Sequence, residues 1–180
     1  MMEEQVILVD KNDNYIGKIG KLEAHQKGLL HRALSVFIFN YKGEMLLQKR
    51  ALSKYHTAGL WSNTACSHPR FNELVKCAAE RRLKEEMGIV CDIFYAFNFI
   101  YDASFDNGLI ENELDHVFIG FSDKIPKPNP SEVVDFRYVA INNLLNEIKL
   151  RPHLFTPWFK ICLNRVLKTK SNLDNKVLIA

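Results

Sequence analysis

The 180-residue chain has no Cys-x-x-Cys pair among its four cysteines, Cys66, Cys77, Cys91 and Cys162, and no basic start or apolar core of a secretory signal in Met1-Met2-Glu3-Glu4-Gln5. A reducing cytoplasm is the expected compartment. Eight glycines and six prolines exclude a collagen-like or low-complexity chain. No apolar run approaches the ~18–20 residues of a membrane span, so a soluble protein without a membrane partner is expected. Charge of one sign is lacking too: 24 Lys plus Arg against 21 Asp plus Glu leave +3, too weak a bias for nucleic acid. A locally concentrated basic site for a small polyanion is compatible with that balance. What is present is ordinary globular material, 47% hydrophobic and 25% charged, which excludes disorder for the body and implies one domain over residues 1–180.

Neither repeats nor linkers interrupt the chain. β-type runs at 6–9 and 15–19 flank the turn formers Asp10-Lys11-Asn12-Asp13-Asn14, and runs at 34–40 and 45–48 flank Tyr41-Lys42-Gly43-Glu44; both read as hairpins. The clearest helix spans 71–87, with Leu74, Ala78, Arg81/Arg82 and Glu85/Glu86 at three- and four-residue steps and Gly88 as a left-handed stop. Strands are expected at 89–93, 96–101 and 116–121, then an extended connection through Pro126, Pro128 and Pro130. Helices follow at 142–148 and 158–167, with a polar tail frayed from about 168. The class is α+β, a central helix with strands on both sides. Cys77, Cys91 and Cys162 read as buried fillers, whereas Cys66 has polar neighbours in Asn63-Thr64-Ala65-Cys66-Ser67-His68-Pro69.

The chemistry concentrates in the central helix and its approach. From Ser67 the pattern runs to Glu73 and, after seven residues, to Arg81-Arg82-Leu83-Lys84-Glu85-Glu86-Met87-Gly88-Ile89. This resembles the Nudix box, in which a glycine stands at the first position and a glutamate follows the box arginine. One turn separates Arg82 from Glu86, so a guanidinium for phosphate oxygens and a carboxylate for a divalent cation share a helix face. The plainer reading is a solvated helix with i,i+4 pairs Arg81 to Glu85 and Arg82 to Glu86; the spacing, glycine stop and strand exit favour the box. Two departures stand out: Ser67 replaces the glycine and Arg82 the glutamate. The second removes a carboxylate that Nudix hydrolases use to hold magnesium, and adds a cation suited to gripping a diphosphate that stays intact.

His25, His31, His68, Glu111 and Glu113 come from three parts of the chain, and five such groups suffice for an octahedral divalent site with substrate or water as sixth ligand. Glu111-Asn112-Glu113 sets both carboxylates on one side of a strand. His56, His116 and His153 are read as bystanders.

Taken in order, Lys21, Ala24-His25, His31, Arg50-Ala51-Leu52-Ser53-Lys54, Gly59-Leu60-Trp61-Ser62-Asn63, Cys66-Ser67-His68-Pro69, the altered box, Glu111-Asn112-Glu113 and Thr156-Pro157-Trp158 resemble the type 1 isopentenyl-diphosphate isomerases over about residues 4–165. The resemblance implies a Nudix-like fold, a mixed β-sheet core between helices with an N-terminal β extension. It implies an isomerase that moves a double bond along a five-carbon diphosphate through a carbocation-like species, in isoprenoid precursor synthesis. Cys66 and Glu113 are then the acid–base pair, Cys66 the base that takes the allylic proton, with Tyr101 beside Glu113 and Trp158 as cation–π partner. Tyr95 competes with Tyr101 for its place. The diphosphate is assigned to Lys21, Arg50, Lys54 and Arg82 and to a magnesium on Glu86; a second divalent ion, Mn2+, Zn2+ or Mg2+, is assigned to His25, His31, His68, Glu111 and Glu113. A Nudix hydrolase and a non-catalytic Nudix-like binding module are the rival readings. Monomer and homodimer stay open.

Overall fold

The computed structural model describes residues 4–177. Strands β1 (Gln5–Val9) and β2 (Tyr15–Gly20) form the expected hairpin. Its turn is held by Asp10, whose Oδ1 accepts from the backbone N–H groups of Asn12 (2.8 Å) and Asn14 (2.9 Å). A short helix, α1 (Lys21–Lys27), follows and had no counterpart in the sequence reading. It ends at Gly28, at φ 60°, whose N–H caps the Ala24 carbonyl.

Strand β3 (His31–Phe39) is the spine. Along one edge it pairs in parallel with β8 (Ile110–Phe121), from His31 opposite Glu113 to Phe39 opposite Phe121. Its other edge meets three strands in turn: β1 at His31, β6 (Ala65–Ser67) with Ser35 opposite Cys66, and β4 (Met45–Arg50) with Phe39 opposite Met45. Strand β4 leaves β3 after two register pairs and continues with β5 (Trp61–Ser62) and β9 (Val133–Val139). The sheet therefore splays beside β6, and a cavity opens there. Strand β7 (Ile93–Ser104) closes the far side against β8.

Side-chain alternation gives the sheet two apolar faces. Leu34, Val36, Ile38 and Phe118 pack on Ala78, Ala79, Leu83 and Met87 of α2 (Val75–Met87). Phe37, Phe39, Val117 and Ile119 pack on Trp158, Phe159, Cys162 and Val166 of α4 (Pro157–Val177), with Leu144 of α3 (Ile141–Leu150). Helices on both faces of a mixed sheet make the expected α+β architecture.

Several boundaries move for identifiable reasons. Helix α2 begins at Val75 rather than 71 because Asn72 adopts φ 62°, a left-handed conformation that no helix interior accommodates. The stretch expected as a strand at 89–93 is irregular until Ile93, where β7 begins and runs unbroken through the strand expected at 96–101. Strand β9 was not foreseen, and α4 is helical through Val177, across the start of the tail expected to fray from about 168; residues 178–180 lie outside the described part. Cys162 is buried as expected, but Cys77 is exposed on the outer side of α2. Gly88 sits at φ 66°, and a Cβ there would lie 2.7 Å from the Lys127 carbonyl oxygen. Gly88→Ala should therefore lower stability by about 1–3 kcal/mol in a denaturant titration; an unchanged midpoint would show that the 127 backbone yields.

Candidate active site

Odd-numbered residues of β3, β7 and β8 share a face: His31 and Ser35, then Tyr101, then Glu111, Glu113 and Asp115. The hydrophobic half of that face lies under α4, and its polar half continues into the cavity beside β6. The cavity measures about 890 Å³ and is lined by Lys21, Arg50, Lys54, Cys66, His68, Arg82, Tyr101, Glu111, Glu113 and Trp158 among others. Ten of the thirteen residues singled out from the sequence thus line one space. His25 and His31 lie fully buried behind Glu113, and Glu86 is buried behind Arg82.

The first group is a donor cluster. His25, His31, His68 and Glu113 bring one ligand atom each to within 4.8 Å of one another. Glu113 Oε1 lies 3.0 Å from His68 Nε2, 3.4 Å from His31 Nε2 and 4.0 Å from His25 Nε2. The Nδ1 atoms of His25 and His31 each lie 2.7 Å from a backbone carbonyl, Lys21 and Leu29 respectively. Donating there fixes the tautomer, so both Nε2 lone pairs face the centre, and neither Nε2 has a hydrogen-bond partner. Burial pushes His68 down to about 4, leaving it a neutral imidazole at pH 7. Imidazole nitrogens and a carboxylate oxygen converging in one buried spot are the ligand types a divalent ion takes, so this donor set fits a divalent metal ion. The loop between His25 and His31 achieves the convergence through Gly28, whose carbonyl accepts from the Asn112 amide at 2.9 Å.

Glu111 faces the same way as Glu113 but groups with His25 and His56 instead, also within 4.8 Å. Its Oε1 stands 3.5 Å from His56 Nε2, and its Oε2 accepts from the Tyr101 hydroxyl at 3.2 Å. His56 is therefore no bystander. It lies along the cavity, its ring stacked on Phe105 with centroids 5.1 Å apart and edge-on to Trp158 at 6.5 Å. Nothing in Lys54-Tyr55-His56-Thr57 marks it, because no periodicity or motif distinguishes a loop histidine pointing inward. His116, buried, pairs with Asp13 at 3.0 Å, and His153 is exposed; neither lines this cavity.

Tyr101, not Tyr95, is the tyrosine of the site. Its hydroxyl donates to Glu113 Oε2 at 2.5 Å, whereas Tyr95 is exposed. Burial, with Glu111 and Glu113 nearby, holds the Tyr101 phenol well above its usual range, so it stays a donor. Burial works against a charge on Glu113, but His31 and His68 at its oxygen outweigh that and keep it well below the usual carboxylate range.

Cys66 has Arg50 Nη1 3.5 Å from its sulfur. Burial pushes the thiol up to about 12 despite that guanidinium, so the sulfur carries its proton at neutral pH. The same guanidinium lies 5.2 Å from the centre of the Trp158 ring, whose indole N–H donates to Asn63 Oδ1 at 3.0 Å. The indole is thus fixed with a π face towards a cation.

The remaining cations are balanced by carboxylates. Lys21 pairs with Glu4 at 3.1 Å. Arg82 meets Glu85 and Glu86 at 3.0 Å each and Glu132 at 3.1 Å, and Lys54 also donates to Glu132. Glu86 has both oxygens engaged, by Arg82 and by the Gln48 amide at 2.9 Å. Glu4, Gln48 and Glu132 escaped the sequence reading; each is an isolated polar residue in a β or loop context.

A helix with a box-like charge pattern, set against a splayed mixed sheet, defines a Nudix-fold protein. The NUDIX domain family matches residues 29–159. The MutT protein from Methanosarcina mazei Go1 superposes with a TM-score of 0.64 at 19% identity, over 79% of this chain and 94% of that one. A MutT NUDIX hydrolase from Burkholderia pseudomallei gives 0.62 at 21%, over 76% and 98%. Likeness at such identity concerns the fold alone. Much nearer in sequence are Isopentenyl-diphosphate Delta-isomerase 1 of Aromatoleum aromaticum, 54% identical over 98% of this chain and 99% of the relative, and Isopentenyl-diphosphate Delta-isomerase 2 of Photorhabdus laumondii, 52% identical over 91% and 92%. The chain belongs to the isopentenyl-diphosphate Delta-isomerase family.

Proposed function

We propose that this chain interconverts isopentenyl diphosphate and dimethylallyl diphosphate, with Cys66 and Glu113 as its two proton-handling groups. The observation that carries the reading is that both open onto one cavity together with Tyr101 and Trp158, with Arg50, Lys54, Arg82 and Lys21 along the same walls. Shifting the double bond adds a proton at the terminal carbon and removes one from the carbon two positions away. The protonation states of these two groups order the steps. Cys66 is a half-buried thiol that keeps its proton and Glu113 a carboxylate. The thiol delivers its proton to the alkene, and Glu113, hydrogen-bonded to Tyr101, takes the other, which leaves a thiolate and a carboxylic acid. This reverses the direction in which the family resemblance placed Cys66; in the back reaction Glu113 returns its proton to the allylic carbon and the Cys66 thiolate takes one from the terminal methyl. Between the two steps positive charge develops on the tertiary carbon, facing the Trp158 ring.

A divalent ion bound by His25, His31, His68 and Glu113 would supply Lewis acidity that tempers the basicity of Glu113. Three imidazoles and a carboxylate suit Mn2+ or Zn2+ better than Mg2+, which prefers oxygen ligands. Glu111 would join that set by leaving His56. Glu86 would meet a magnesium carried in on the diphosphate by exchanging Gln48 or Arg82. Cytoplasmic residence accords with free cysteines at all four positions and with the absence, among the described residues, of a helix long and apolar enough to cross a membrane.

Isopentenyl diphosphate supplied with Mg2+ and Mn2+ in heavy water should yield dimethylallyl diphosphate carrying deuterium. Release of inorganic phosphate or pyrophosphate with no shift of the double bond would replace this reading by hydrolysis.

A further inference from the structure

The site's cavity shares a wall with a second, smaller one. Lys54, Tyr55 and His56 line both, and the second, of about 480 Å³, draws its apolar lining from Leu60, Phe105, Phe155 and Pro157. Two of the shared residues belong to the cation side. Lys54 turns its ammonium to Glu132, and Tyr55 is 44% exposed with Lys21 over its ring at 5.9 Å. His56 differs from both. Its side chain is 6% exposed, and its imidazole stands between Trp158, which lines the first cavity, and Phe105, which lines the second.

The surrounding loop holds the ring in that place. The His56 carbonyl accepts from Arg50 Nη2 at 3.5 Å, and His56 Nδ1 lies 3.2 Å from Thr57 Oγ1. The Tyr55 carbonyl accepts from the Asn107 amide at 3.0 Å, which fastens the loop to the turn between β7 and β8 that carries Phe105. The Tyr55 ring meets the imidazole edge-on at 4.6 Å. A ring stacked on one neighbour and met edge-on by two others has few rotamers open to it, so it forms a fixed partition.

We propose that His56 is a specificity-determining residue whose ring ends the hydrocarbon side of the substrate cavity and confines the alkyl part of a diphosphate substrate to a single five-carbon unit. The proposal rests on the reading of this cavity as the isopentenyl diphosphate site and adds what sets its length limit. In that reading the alkene lies between Trp158 and the carboxylate face of β8. The imidazole borders both, 6.5 Å from the indole and 3.5 Å from Glu111 Oε1. A second branched unit joined to the far end of the first therefore runs into the ring, which yields only by giving up its stack on Phe105. Beyond the ring the apolar lining of the second cavity suits such a unit, so removing the imidazole joins the two spaces and lifts the limit. Selection here works through shape, because a hydrocarbon offers no polar group by which to be recognised.

The test uses two saturated ligands that undergo no isomerisation, isopentyl diphosphate and its ten-carbon homologue tetrahydrogeranyl diphosphate, each with Mg2+, in calorimetric titrations of the full chain. Wild type should bind the ten-carbon ligand at least about 30-fold more weakly than the five-carbon one. In His56→Ala that ratio should shrink by at least about tenfold, whereas in His56→Phe, which keeps a flat ring against Phe105, it should stay at the wild-type value. Both ligands share the diphosphate contacts, so a general loss of affinity cancels from the ratio, and thermal melts check that each variant folds. Comparable affinity for the two ligands in wild type, or an unchanged ratio in His56→Ala, would overturn the proposal. The isomerase assay is read separately. A chain that shows the length limit and its loss in His56→Ala but shifts no double bond refutes the proposed reaction and leaves this inference standing; one that shifts the double bond with an unchanged ratio in His56→Ala does the reverse.

Discussion

Cys66→Ala should lose about 100- to 10,000-fold in turnover of isopentenyl diphosphate, the range expected when one positioned proton donor is removed, while pyrophosphate binding stays within about threefold of wild type. The sulfur accepts from Arg50 Nη1 at 3.5 Å and from Gln48 Nε2 at 4.0 Å, and holds none of the donor cluster. Its removal therefore leaves the cations and the imidazoles in place. Replacing it by Ser tests the acid role in a second way, since an alcohol keeps the proton position but is a far weaker acid than a thiol; turnover should stay low even though a proton is present. Deuterium uptake distinguishes the reason for the loss. A variant that can still remove the allylic proton but not deliver the other should exchange no label into the terminal carbon. Wild-type turnover in Cys66→Ala would remove the thiol from the mechanism altogether.

The thiol and its partners were legible because the information was local. Cys66, Ser67 and His68 lie within one short strand and its exit, and the period of two at Glu111 and Glu113 puts both carboxylates on one face of β8. The register that sets His31 against Glu113 is not local, since 82 positions separate them, and only the parallel pairing of β3 with β8 brings them together. What the sequence left hidden has a common cause. His56, Glu132 and Gln48 reach the cavity because β4 diverges from β3 and because the 129–132 turn is fastened to two elements at once, and neither event leaves a repeating pattern. The helix at 21–27 was missed for a related reason. It runs seven residues with no side-chain cap, too short to show a hydrophobic period, and it holds its shape through the Gly28 stop and the packing of Ala24 and His25. The tail is a further difference: the polar composition after 168 suggests fraying, while helix α4, begun at Pro157 and anchored in the core by Phe159, Cys162 and Val166, is continued through Val177.

Glu113→Gln should be as damaging to turnover as Cys66→Ala, about 100-fold or more, and should differ from it in one measurable respect. Glu113 uses both oxygens: Oε1 faces the three imidazoles, and Oε2 accepts the Tyr101 hydroxyl at 2.5 Å. An amide can present its oxygen to only one of these. If the oxygen turns to Tyr101, the NH2 points at the imidazole lone pairs and takes the space of a cation; if it turns to the imidazoles, the NH2 faces the Tyr101 hydroxyl, which is left with Glu111 Oε2 as its acceptor. Either way the cluster loses its negative charge. The affinity for Mn2+ or Zn2+, titrated calorimetrically or followed by displacement of Co2+ absorption, should fall by at least about 100-fold, whereas Cys66→Ala should bind the same ions as wild type does. Tyr101→Phe separates the two duties. It leaves the ion's oxygen untouched, so metal affinity should hold while turnover falls, because the acceptor of the allylic proton has lost the hydroxyl that orients it. Loss of turnover in Glu113→Gln with metal affinity intact would detach the ion from this carboxylate and leave Glu113 as a proton group alone. Wild-type turnover would return the site to the rival Nudix readings, in which neither residue has work to do.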